Sequence, residues 1–100
     1  MTQEIVLTEV TVGDCPDCDI ARGLVAELVE QNAGLGVQLE VIDVDRDPRA
    51  VVAVGAMTHP TVMVSVDGRE RARVSGTLTK RRLLRTLLPV LYPDDSTALA

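Results

Sequence analysis

Phenylalanine and tryptophan are missing from this chain of 100 residues, and Tyr92 is its only aromatic residue. A core must therefore be built from Val, Leu, Ile, Ala and Met. Without rings there is nothing for nucleic-acid bases to stack on, and the formal net charge of −5 repels a phosphate backbone, so no nucleic-acid partner is expected. Long apolar runs are also absent. The segment Met1 to Glu9 has no basic start followed by an apolar stretch, so neither a signal peptide nor a membrane span is expected, and the default compartment is cytoplasmic. Cysteine occurs only twice, at Cys15 and Cys18. Secreted scaffolds of this size spread more cysteines along the chain, and a bridge closing so short a loop barely constrains the unfolded state. Reactivity accounts for the pair better than stability does.

The length suits one domain with one modest core. Residues 1–92 read as that domain and residues 93–100 as a flexible tail, with no repeat, linker or low-complexity segment. Glu4 to Val12 has the apolar, β-rich pattern of a strand ending at Gly13-Asp14. Pro16 suits the first turn of a helix whose stripe is Ile20, Ala21, Leu24, Val25, Leu28 and Val29, ended by Gly34 or Gly36. Val37 to Val44 alternates and then becomes apolar, as a second strand parallel to the first would. Asp47-Pro48 caps a short helix stopping at Gly55.

Thr61 to Val66 is a β-branched run, Asp67-Gly68 a two-residue hairpin turn, and Arg69 to Val74 the returning strand. Thr77 or Thr79 caps a last helix with Leu83, Leu84, Leu87, Leu88 and Leu91 as its buried stripe. The order β-α-β-α-β-β-α predicts a single α/β domain, a four-stranded mixed sheet with helices on both faces.

Cys15-Pro16-Asp17-Cys18 sets two thiols one helical turn apart at a helix start. Unpaired backbone N–H groups and the positive end of the helix dipole favour a thiolate there, which makes Cys15 the nucleophile. Cys18, one turn inside the helix, then resolves the mixed disulfide. Asp14, Asp17 and Asp19 place negative charge around the thiols and oppose that ionisation. A second informative segment is Thr58-His59-Pro60-Thr61, whose proline just before the third strand suits a cis bond.

A cysteine pair after the first strand, a proline before the third and Ser75-Gly76 before the last helix together resemble the thioredoxin and glutaredoxin superfamily, in particular its small bacterial members, over Glu4 to Leu91. The resemblance implies a thioredoxin-like fold, a thiol–disulfide oxidoreductase activity, and a cis Pro60 lying against the cysteines. It further implies that the backbone of His59 pairs with an extended substrate and that Gly76 lines the same groove. Pro16 matches the glutaredoxin form of the motif. The active-site Trp and Gly of thioredoxins are absent, and Val6 stands where their buried first-strand Asp is expected. The basic residue before the first cysteine and the paired glycines of glutaredoxins are absent too, with Gly76-Thr77 in place of the latter. The partners implied are a disulfide-bearing protein or small molecule and a reductase or thiol reductant, with no cofactor, no resident metal and a monomeric chain.

Two thiolates in this spacing also suit Cu(I) or part of a zinc site, so soft-metal handling is the alternative function, although Cys15, Cys18 and His59 fall short of zinc's four ligands. A redox-inert interaction module leaves the thiol pair unexplained. His59 reads equally as an indifferent side chain or as a tuner of the thiols. Met57 and Met63 read as strand-packing residues, and the Lys80 to Arg85 cluster as a solvated helix face.

Overall fold

Successive residues of a strand face opposite sides of the sheet. In the first strand, β1 (Ile5–Thr11), both sides are covered, because Ile5 and Leu7 join one apolar cluster and Val10 another. The structure, a computed structural model, describes residues 3–93. Apart from Pro93, the tail expected over 93–100 lies outside the described residues.

After β1 come α1 (Pro16–Gln31), a 3-10 turn (Ala33–Leu35), β2 (Gln38–Asp43), α2 (Pro48–Val54), β3 (Thr61–Val66), β4 (Arg69–Ser75) and α3 (Lys80–Leu91). The sheet order is β2-β1-β3-β4, with β1 and β2 parallel and the other pairs antiparallel. Helices α1 and α3 cover one face through Ala21, Val25, Leu28, Leu83, Leu87 and Leu91. On the other face α2 sets Val51 against Val10, Ile42 and Met63. This is the mixed α/β, thioredoxin-like arrangement expected from the sequence.

Several local expectations are corrected. Helix α1 ends at Gln31, before either glycine, because the buried Asn32 donates its side-chain amide to the Leu28 carbonyl at 2.8 Å and accepts the hydroxyl of Tyr92. Gly36 serves the next turn instead, in the left-handed region at φ 69°. Ile20 and Leu88 lie on apolar stripes yet are exposed, since the sheet meets a narrower arc of each helix than the stripe spans. Met57 is 93% exposed where strand packing was expected, whereas Met63 is buried. Pro89 sits inside α3 and removes one backbone donor. The helix continues past it because Leu87 and Leu91 are anchored in the core and the Tyr92 N–H still bonds the Leu88 carbonyl at 2.8 Å.

Candidate active site

The parallel strands β1 and β2 end at the same edge of the sheet, and the chain leaves β1 there through Gly13 and Asp14. Asp14 adopts a left-handed conformation at φ 53°, turning the chain into α1. The Gly13 N–H reaches a carboxylate oxygen of Asp45 in the β2–α2 loop at 3.3 Å, and the Val44 N–H bonds the Thr11 carbonyl at 2.9 Å. The turn is thus braced against its neighbour strand.

Cys15 is the N-cap of α1. Its carbonyl accepts from the N–H groups of Cys18 at 3.0 Å and Asp19 at 3.1 Å, and its sulfur also accepts from the Cys18 N–H at 3.0 Å. The two cysteines are joined as a disulfide, with Cα atoms 5.1 Å apart. They differ in access. Cys15 is partly exposed, while Cys18 is 1% exposed. The Cys18 amide, shared between the Cys15 carbonyl and sulfur at the start of the helix, is placed where a negative sulfur would gain from it.

Three segments distant in sequence are tied together around this turn. The Asp17 carboxylate, between the cysteines, accepts the Thr77 hydroxyl at 3.1 Å. Gly76, next to Thr77, donates its N–H to the Pro60 carbonyl at 2.9 Å and takes φ +84°, a conformation that favours glycine. Pro60 is fully buried, its bond from His59 is cis, and the hydroxyls of Thr61 and Ser75 meet at 3.0 Å beside it. These bonds bring the Cys15–Cys18 turn, the Pro60 segment and the Gly76 loop to one edge of the sheet. Pro16 is exposed on the rim, and His59 is half-buried with Nδ1 enclosed and unpartnered.

The acid sought in β1 is present, at Glu9 and not at Val6. Glu9 is completely buried, its Oε1 accepts from Nε of Arg22 on α1, and its Oε2 has no hydrogen-bond partner. Arg22 lies four residues after Cys18, and residues so spaced stack on one helix face. A side chain of β1 that reaches Arg22 therefore lies under the Cys18 end of α1. Burial pushes the Glu9 carboxyl above its ordinary value, the hydrogen bond and charge of Arg22 oppose this, and Asp19 adds to the rise. The sequence carried a signal for it. In the alternation Ile5, Leu7, Glu9, an acid continues the face that α1 must cover.

Among the described residues, no group of three or more His, Cys, Asp or Glu side chains is placed to hold a metal ion. No described helix is long and apolar enough to cross a membrane.

No family model matches the chain, and no curated protein does. Solved structures do. A mutant thioredoxin from Halobacterium salinarum NRC-1 is 26% identical, covers 80% of this chain and 68% of its own, and superposes with a TM-score of 0.71. The thioredoxin of Fasciola hepatica is 22% identical over 82% of this chain and 76% of its own, with a TM-score of 0.72. A malarial protein at 13% identity shares the fold, with a TM-score of 0.71 over 82% of this chain and 91% of its own. With this sheet order, and a cysteine pair at the start of the helix after the first strand, the chain belongs to the thioredoxin-like superfamily.

Proposed function

We propose that the chain is a thiol–disulfide oxidoreductase that exchanges a dithiol for a disulfide, through Cys15 and Cys18, with disulfide-bearing proteins or small molecules. The observation that carries this reading is the asymmetry of the pair. A partly exposed Cys15 at the head of α1 is bonded to a buried Cys18 one turn inside it. In the reduced protein the Cys15 thiolate attacks one sulfur of the substrate disulfide, forming a mixed disulfide and releasing the first substrate thiolate, which takes up a proton. Cys18 then gives up its proton and attacks the Cys15 sulfur. The Cys15–Cys18 bond closes and the second substrate thiol leaves. Two electrons pass to the substrate, and an external thiol or a reductase returns them, in keeping with a cytoplasmic setting.

The rim formed by Pro16, His59, Pro60 and Gly76 receives the substrate in this reading, with an extended segment pairing along the backbone of His59. Glu9 supports the second step. A carboxylate enclosed beneath the Cys18 end of α1, with Oε2 free, suits a group that takes the Cys18 proton and releases it later.

The test is insulin reduction by dithiothreitol, with mass spectrometry of the protein. The parent accelerates reduction, Cys15→Ser does not, and Cys18→Ser loses turnover while accumulating a mixed disulfide at Cys15. Equal rates for the parent and both variants would refute the proposal.

A further inference from the structure

Glu9 is the only acid in its row of the sheet. Across β2 it faces Val41, across β3 it faces Val62, and Val62 in turn faces Val74 of β4. The residue below it on the same face, Leu7, is fully buried. A lone carboxyl in such surroundings stays protonated, because ionising it there carries a desolvation penalty that nothing in the sheet offsets. A protonated carboxyl is too weak a base to take the proton of a thiol. Among the described residues the only cation bonded to it is Arg22, and the arrangement is lopsided: the carboxyl is fully enclosed while the guanidinium side chain remains 45% exposed. Arg22 therefore neutralises a buried charge without itself being desolvated, which avoids the cost that burying both partners would carry. It engages a single oxygen and leaves Oε2 open.

We propose that Arg22 is a positioning residue for the dithiol site: bonded to one oxygen of Glu9 from the turn of α1 after Cys18, it holds the carboxyl in one pose, keeps the other oxygen free, and supplies the charge that lets Glu9 accept the Cys18 proton. The inference rests on the role given to Glu9 above. The other charged group acting on Glu9 is Asp19, also on α1, which disfavours ionisation. From the sheet, Asp43 on β2 is level with Thr11, the next β1 residue on the same face. His59 precedes Pro60 at the head of β3. None of these supplies a positive partner bonded to the carboxyl.

The experiment compares the full chain with Arg22→Leu, Arg22→Lys and Glu9→Gln. Two readouts are taken: the titration of the Glu9 carboxyl by carbon-13 NMR, and the pH dependence of the rate at which Cys18 resolves a preformed mixed disulfide. An opposite charge at hydrogen-bond range lowers a carboxyl by roughly one to three pH units, and the exposure of Arg22 favours the low end. Arg22→Leu is expected to raise the Glu9 titration by about one pH unit, and to move the acid limb of the rate profile upward by the same amount. Resolution below the limb then slows about tenfold. Arg22→Lys restores most of both, and Glu9→Gln abolishes the limb. An unmoved Glu9 titration in folded Arg22→Leu would overturn the proposal, as would a moved titration with an unmoved limb. A parent chain that forms no mixed disulfide at all would instead sink the oxidoreductase reading, and the NMR titration would still decide whether Arg22 controls Glu9.

Discussion

Replacing Glu9 by leucine should make the protein more stable at neutral pH. An unpartnered buried polar atom costs about 1–3 kcal/mol, and Oε2 of Glu9 is such an atom. The ion pair lost with it includes the half-exposed Arg22, so it contributes at most about 1 kcal/mol. A leucine would join Val41, Val62 and Leu7 in an apolar row. The balance is a gain of roughly 1–2 kcal/mol, which for a domain of this size raises Tm by roughly 5–15 °C.

The pH dependence has a definite sign. Burial raises the folded-state value of Glu9 above 4.5, its unfolded reference, so folding takes up a proton between the two values. The parent bears the least penalty below 4.5 and loses stability from this group as pH rises through the folded value. The advantage of Glu9→Leu is therefore largest at neutral pH and shrinks toward pH 4. Urea unfolding of the oxidised proteins at both pH values measures it, and the same variant should resolve mixed disulfides poorly at neutral pH. A variant less stable than the parent at neutral pH, or an advantage that grows toward acid, would refute the reasoning. Glu9 would then be a structural anchor.

Four further outcomes are expected. Asp17→Asn removes a charge next to Cys15 and should speed reaction with anionic disulfides about three- to tenfold at low salt, with the gain fading as salt screens it; stopped-flow rates at two ionic strengths check this. Gly76→Ala meets open space, its nearest outside atom lying 4.0 Å from the added Cβ, so its cost is the positive φ alone, about 1–2 kcal/mol by urea unfolding. Tyr92→Phe leaves the buried Asn32 carbonyl oxygen without its donor and should cost about 1–3 kcal/mol in the same assay. Leu87→Ala empties a fully buried site in the cluster between sheet and helices and should cost about 2–5 kcal/mol, enough to lower the yield of folded protein.

Local chemistry made much of the fold legible. The run Thr61 to Val66 and the turn Asp67-Gly68 are a strand and a turn in the structure, because β-branched residues and a left-handed Asp-Gly pair act over a few residues. Asp47 caps α2 and Thr79 caps α3 for the same reason, each side chain accepting from an N–H three residues ahead. The cysteine pair and its place at a helix start could be read directly. The end of α1 could not, since a bond to Tyr92, sixty residues on, helps hold it.

The sequence by itself determined the order of strands and helices, the turn chemistry, and the presence of two thiols one helical turn apart. Only the tertiary structure decided that Ile20 and Leu88, though on apolar stripes, stay exposed, and that Asp17 meets Thr77. It also decided that Glu9, one acid among several, lies buried with Arg22 bonded to it. Each of these depends on which face of one element another covers. That choice is made by packing several elements at once, and no short window of residues encodes it.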